Sequence, residues 1–489
     1  MNAPSARASP ARSLSASSPR FENTRKPVAR LSEQRCEVCG NIAVRWRVHA
    51  GGQDRYLCAE CARRKLMRFA RDEPASVAGV LQRLSAVPET AGDAVTCPRC
   101  AQEPALIAQQ GVAGCADCYR VFPQAVDGWL TRWSLPLRHS GEPLPDVLQP
   151  LAAQPPSSHP GASWLDALQR PQIIISSRAR YARNLRWARF PWRADSMELE
   201  QVRRRVEEAA RASRWHFDIL PTNRMKPSER QRWVDLRLAS PQLRDNTRYG
   251  ALIVDGTRTV SVLVNEEDHL RVQAVLPGLQ VRESVALAHG ALEALALQEE
   301  LAFSDNYGWL TASILNIGWG LRTSVMMHTP ALERTGQIQS VWDAAMELGG
   351  TIRGLYGEGT PASALFQVSN VHSIGLDEAT IAAQVSGTAQ FIAQAEQRAR
   401  EQLLEQHAEQ LRNEAERVYH NLGKERTLRA VSALQMLSTI SLACAAGWGN
   451  LSAEIWKEML MAVRWEAQYD DAEWRAIRMR TLVRQVRNG

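Results

Sequence analysis

The sequence predicts an α+β chain with three kinds of region: cysteine-rich modules, then a strand-and-helix unit, then a helical end. Three observations carry this. Eight of the nine cysteines fall in four C-x-x-C pairs before residue 120. Between residues 251 and 279, β-branched runs flank Asp255-Gly256, a strong hairpin signal. From residue 385 the pattern turns to long polar helices, VSGTAQFIAQAEQRAREQLLEQ and onward. At 489 residues the chain exceeds one average core, so about two or three folded units are expected.

Residues 1–30 are rich in Ser, Ala, Pro and Arg and lack an apolar h-region. They read as a disordered tail and not as a secretory signal. No apolar run approaches the roughly 20 residues a membrane span needs, so no membrane partner is expected. The net charge of +7 admits an anionic partner but names none.

Residues 31–138 carry the cysteine pairs. Cys36 and Cys39 are followed by Cys58 and Cys61; Cys97 and Cys100 are followed by Cys115 and Cys118. The gaps inside the two sets are 18 and 14 residues. Two C-x-x-C knuckles at such a distance can close a tetrahedral site of four thiolates around Zn²⁺. Two structural zinc ions are therefore expected. Four thiolates leave no open position, so the metal holds shape and does no chemistry. Paired thiols in this pattern suit a reducing compartment, and a cytoplasmic setting is expected. The stretch CARRKLMRFAR (61–71) reads as an amphipathic helix that suits nucleic acid or a partner protein equally. Residues 139–168, rich in Pro, Ser and Gly, read as a linker.

The next unit spans residues 169–400. It opens with QIIISSRARYARNLRW, where an extended chain points Arg178 and Arg180 to one face. The second arm of the hairpin delivers VNEEDHLR (264–271), which gathers three acids and Arg271 behind an apolar strand. In GWGLRTSVMMH the alternation sets Leu321, Thr323 and Val325 on one face and Arg322 and Ser324 on the other. Arg353 precedes the glycine-rich GLYGEG. Arginine suits bidentate phosphate contacts. Spacing alone leaves open whether these five arginines converge or are separate surface charges.

The stretch CPRC…GCADCYRVFPQAV (97–126) resembles the zinc-binding activator of the bacterial protein-arginine kinase system. The order SSRAR, NEEDHLR, GLRTSVMMH, RGLYGEG, FQVSN resembles the phosphagen (guanidino) kinase superfamily, and most of all the bacterial protein-arginine kinases. The resemblance implies a guanidino-kinase catalytic domain, an antiparallel sheet flanked by helices, fused to N-terminal four-cysteine zinc-ribbon modules and a helical C-terminal domain. It implies ATP and Mg²⁺, with the phosphates held by Arg178, Arg180, Arg271, Arg322 and Arg353. Ser176, Ser177, Thr323, Ser324, Val325, Met326, Gly354 and Glu358 are the other nucleotide positions it implies. Arg237, in DLRLASPQL, stands where a histidine near adenine is expected. Glu267 matches the carboxylate that grips the substrate guanidinium, and proteins with exposed arginines are the implied substrates. Clp-type protease components and a stress repressor are implied partners. A second copy of the chain is a further candidate partner. Direct nucleic-acid binding is not expected.

Besides Arg237, two departures weaken the match. Ser313, in SILN, stands at the family's cysteine, and Pro361 stands at the second catalytic glutamate. Loss of one member of an acid/base pair can cost about 10²–10⁴-fold in rate. Two readings stay open on the sequence: a working protein-arginine kinase resting on Glu267, or a nucleotide-binding pseudokinase or zinc-ribbon scaffold that binds arginine or phosphoarginine proteins without efficient transfer.

Residues 401–489 read as a helical C-terminal domain, with Cys444 in an apolar helix as core. Related kinases carry an RDxxRA phosphoarginine pocket here. The matching residues are Asp471, Ala472, Arg475 and Ala476, so only the Arg-Ala half survives and phosphoarginine sensing is expected to be weak or absent.

Overall fold

The computed structural model describes residues 96–140, 165, 173–353, 364–421, 424–463 and 472–488, and before them the backbone of three strands. The chain divides into two compact units, Met1–Ala94 and Val95–Gly489. In the first, β1 (Arg20–Glu22), β2 (Val44–Ala50) and β3 (Gln53–Cys58) form an antiparallel sheet in that order. So Arg20–Glu22, inside the segment expected to be disordered, is strand. Cys36, Cys39 and Cys61 lie outside the described residues. Cys58 ends β3 opposite Val44.

The second unit begins with the second cysteine set and three short helices, α1 (Pro104–Gln110), α2 (Ala116–Val121) and α3 (Pro123–Arg132). Gly111 ends α1 at φ 66, and a Cβ there would lie 2.2 Å from the Trp129 ring. Only glycine therefore permits both the left-handed turn and the close packing.

An eight-stranded antiparallel sheet follows. Its strands in chain order are β4 (Ile174–Arg183), β5 (Phe217–Pro221), β6 (Ala251–Asp255), β7 (Val260–Val264) and β8 (Leu270–Pro277). The ribbon β9 (Phe303–Ser304) and β10 (Gly308–Trp309) stands apart, and β11 (Leu321–His328), β12 (Gly350–Arg353) and β13 (Leu365–Asn370) complete the sheet. The spatial order is β12-β13-β11-β4-β8-β7-β6-β5. The expected hairpin joins β6 and β7. Asp255 builds the turn: Oδ1 accepts the Thr259 and Val260 amides at 2.9 and 2.7 Å. The left-handed residue there is Arg258 (φ 53), not Gly256.

Alternation splits the sheet into two faces. Ala179, Tyr181, Val262, Val272, Leu321, Val325, Phe366 and Val368 are buried on one. They pack against α4 (Ser196–Ala212), α7 (Val281–Ala294) and the long α8 (Glu378–Asn421), which kinks at His407. Between α4 and α7 lie α5 (Pro227–Asp235) and α6 (Pro241–Asp245). Residue 400, the expected end of the catalytic domain, falls inside α8. Phe366 is fully buried under this face and meets Trp342 edge-on. Phe366→Ala is expected to cost about 3–5 kcal/mol in urea unfolding.

The last helices, α9 (Ala430–Ala445), α10 (Ala453–Val463) and α11 (Ala472–Asn488), build a second core on Ile175, Val275, Met326 and Leu365 of the sheet. His328 joins the two: its Nε2 lies 2.9 Å from Ser438 Oγ, and its ring packs on Trp456. Burial pushes His328 down to about 3, so it is neutral. Among the described residues, no helix is long and apolar enough to cross a membrane.

Candidate active site

The sheet order does what linear spacing cannot. On β4 and β11, Arg180 faces Arg322 and Arg178 faces Ser324. On β4 and β8, Ala182 faces Arg271 and Arg180 faces Gln273. Arg353 of β12 faces Gln367 of β13. All these positions share the face opposite the main core, on strands about 4.8 Å apart. Arg178 Nη2 reaches across β11 to Gln367 Oε1 at 2.8 Å. The structure thus brings Arg178, Arg180, Arg271, Arg322 and Arg353 together.

Their electrostatics show what the face lacks. Burial first, then the charges of Arg237, Arg271 and Arg322, push the Arg178 guanidinium down to about 9. Burial and neighbouring guanidiniums hold Arg180 and Arg322 well below the usual arginine range. Cations packed this way repel until an anion lies among them, so the face suits a polyanion such as a triphosphate. Arg322→Ala is expected to weaken ATP binding by about 1.5–3 kcal/mol, the worth of a charge-assisted hydrogen bond. It should not lower the melting temperature of the free protein, because it relieves repulsion. Calorimetry and thermal unfolding check the two halves.

The acidic turn behind β7 distributes its residues. Asn265 takes φ 57 and donates to the Leu199 and Tyr249 carbonyls at 2.8 and 2.9 Å, fixing the turn. Glu266 is fully buried and pairs with Arg271; the Ser240 hydroxyl, at the start of α6, donates to it. Glu267 is different: its side chain is 39% exposed, at 3.2 Å from Arg271. It is the acid of this turn that a guanidinium from solvent can reach. Asp268 is buried and accepts the Ala312 amide at 2.7 Å. His269 is buried and pushed down to about 4 by burial; its Nδ1 accepts the Leu185 amide at 3.1 Å.

The other expected residues divide. Arg237 (φ 64) accepts Gln273 Nε2 at its carbonyl, 3.0 Å, and lies close enough to Arg178 for their charges to interact. Ser176 is buried on β4 opposite Met326, and Ser324 is buried opposite Arg178. At four expected nucleotide positions the side chains have partners within the protein. Ser177 Oγ donates to the Gly278 carbonyl at 2.8 Å and accepts the Gln280 amide. Thr323 Oγ1 donates to Asn370 Oδ1 at 3.4 Å. Val325 is buried in the main core, and Met326 in the core shared with the last helices. Gly354, Glu358 and Pro361 lie outside the described residues, as does Asp471. Arg475 is buried and donates to the Leu428 and Ala462 carbonyls at 2.6 and 3.2 Å, so its guanidinium fastens α11 to its neighbours.

The second cysteine set forms a closed cluster. The sulfurs of Cys97, Cys100, Cys115 and Cys118 all lie within 4.8 Å of one another. Three pairs stand at 3.5, 3.4 and 3.8 Å. Zn–S bonds of about 2.3 Å in a tetrahedron put sulfurs about 3.8 Å apart, so the cluster fits zinc. Hydrogen bonding from Cys100, then burial, pushes the Cys118 thiol up to about 12; a divalent cation reverses that balance.

Sequence reading missed where this cluster sits. Tyr119, Phe122, Val126, Trp129 and Leu130 share one core with Tyr307, Leu310, Ile314, Ile317 and Ile374. The Ala113 amide donates to the Ala312 carbonyl and the Ile314 amide to the Gly111 carbonyl, both at 2.8 Å. Tyr119 Oη donates to the Thr311 carbonyl at 2.7 Å. The loop so gripped carries Ser313, half-buried beside the acidic turn.

Residues 199–399 match the family model of the ATP:guanido phosphotransferase C-terminal catalytic domain. Residues 95–141 match the model of the McsA central zinc-finger domain. A protein-arginine kinase of Halalkalibacterium halodurans is 37% identical over 294 residues, 59% of this chain and 83% of that protein. Those of Moorella thermoacetica (38% over 292 residues) and Brevibacillus brevis (34% over 314) match 58% and 63% of this chain and 82% and 88% of theirs. The chain belongs to the protein-arginine kinase family. It is a phosphotransferase that acts on guanidino groups, with a zinc-binding activator module in the same polypeptide. In the kinase unit the arginine face and the acidic turn lie within or beside the matched catalytic domain, and the zinc module packs directly onto it.

Proposed function

We propose that this chain transfers the γ-phosphate of ATP to arginine side chains of proteins, with Glu267 holding the acceptor and the zinc module holding the acceptor loop. The observation that supports this most is the pairing of a crowded guanidinium face with one exposed carboxylate at its edge. The arginines take the triphosphate, and Mg²⁺ enters with the nucleotide, bound through phosphate oxygens and water. Glu267 pairs with the substrate guanidinium and sets one nitrogen in line with the γ-phosphorus. The N–P bond forms as the bond from γ-phosphorus to the ADP oxygen breaks, and the nitrogen's proton passes to Glu267. The arginines stabilise charge spreading over the transferred group.

Family resemblance supports a protein acceptor and a role in marking proteins for Clp-type proteolysis under stress. Phosphorylation turns a cationic side chain into an anionic one, a change a partner can read. A second zinc in the first cysteine set belongs to the same proposal, on the spacing of Cys36, Cys39, Cys58 and Cys61.

The test uses an unfolded arginine-rich protein and the same protein with its arginines blocked by a dicarbonyl reagent. ADP should form with Mg²⁺·ATP and the first acceptor only. Equal turnover with both would sink the proposal, and so would turnover with neither.

A further inference from the structure

We infer that Asp268 is a positioning residue, latching the loop gripped by the zinc module against the turn that carries Glu267. This rests on the proposed role of Glu267. Asp268 is 1% exposed, an unusual place for a carboxylate. Its Oδ1 accepts the Ala312 amide at 2.7 Å and Asn184 Nδ2 at 2.5 Å. Its Oδ2 is buried with no hydrogen-bond partner among the described residues. A half-satisfied buried carboxylate lowers stability, so its presence here calls for a role beyond packing.

The work is visible in the connections. Asn184 also accepts the His269 amide at 2.9 Å and donates to the Leu310 carbonyl at 3.2 Å, so the end of β4, the acidic turn and the loop form one network. Ala312 is held from both sides: Asp268 takes its N–H, and Ala113 of the zinc module donates to its carbonyl. Glu267 precedes Asp268 and Ser313 follows Ala312. A shift of this latch therefore moves both residues that flank the acceptor position.

The charges facing Asp268 are Glu267 on its own turn, Arg271 on β8 and Arg183 on β4, with the Tyr119 phenol on the zinc module. Burial first, then Glu267, raise the Asp268 carboxyl to about 7. The ionised form is the better acceptor for the Ala312 amide. A guanidinium on Glu267 offsets that neighbour's charge and favours ionised Asp268. Acceptor binding therefore tightens as pH rises through about 7 and weakens below it.

The experiment compares full-length, zinc-loaded wild type, D268N, D268A and E267Q. It reads KM for an unfolded arginine-rich protein from pH 6 to 8, ATP affinity, zinc content, and amide exchange of residues 309–317. D268N keeps an acceptor but no charge, and should flatten the pH dependence of KM. D268A removes the acceptor; it should speed exchange in 309–317 and raise KM about tenfold or more, with zinc and ATP binding kept. E267Q should lose transfer, with exchange in 309–317 no faster than in the wild type, because the charge beside Asp268 is gone. Wild-type exchange in D268A, or a wild-type pH dependence of KM in D268N, overturns the inference. If D268A does not fold, the D268N profile decides. If the wild type transfers no phosphate, the proposed function fails, and exchange in D268A alone judges the latch.

Discussion

Glu267→Gln is expected to lower phosphate transfer by about 10²–10⁴-fold with no loss of ATP affinity. The side chain keeps its size but loses the charge that pairs with a guanidinium and the basicity that accepts its proton. The nucleotide face keeps its guanidiniums: the Glu267 charge acts on Arg322 and Arg353 but does not hold them in place. Arg271 keeps its buried partner Glu266, so removing Glu267 releases no guanidinium. Steady-state transfer from labelled ATP, with calorimetry on the same samples, separates the two effects. A parallel loss of ATP binding would show Glu267 to be a support of the arginine face and not the acceptor's partner.

Removal of zinc should have an effect of similar size, by a different route. Structural zinc in small modules contributes about 10–16 kcal/mol of apparent binding free energy at neutral pH. Here the cluster anchors Tyr119, Phe122 and Trp129, which pack on Tyr307, Leu310 and Ile314. Without the metal, the Gly111 and Ala113 backbone loses the geometry that holds residues 311–314. A misplacement of about 1 Å at a reacting group can cost about 100-fold. Chelated protein should therefore melt earlier and lose transfer at least to that degree, and zinc should restore both. Cys118→Ser should show the same losses without rescue. Full transfer by chelated protein would show that the module acts only as a tether.

Local features were legible in the sequence, and long-range ones were not. The second cysteine set announced its cluster, because tetrathiolate sites are built from local knuckles. Asp255-Gly256 announced the β6–β7 turn, and alternation placed Arg178 with Arg180 and Arg322 with Ser324. Convergence was legible only through family resemblance, because it depends on β4 lying between β11 and β8, pairings that no local pattern encodes. Thr323, Val325 and Met326 are neighbours of Arg322 in sequence, and local pattern does not tell that their side chains enter cores or turn to Asn370. Asp268 stood in the quoted acidic run, yet nothing local told it from Glu267. Burial separates them: Asp268 lies under the loop whose Ala312 amide it accepts, and Glu267 stays exposed. Nor did the sequence reveal that this module and the Ser313 loop meet, since they are about 200 residues apart.

The most direct measurement is mass spectrometry, under conditions that preserve acid-labile phosphate, of an unfolded arginine-rich protein incubated with the zinc-loaded chain, ATP and Mg²⁺. Phosphate on arginine nitrogen, absent when Glu267→Gln replaces the wild type, is the predicted result. Nucleotide bound to the arginine face with no arginine phosphorylated, or phosphate carried on hydroxyl side chains, would contradict the account.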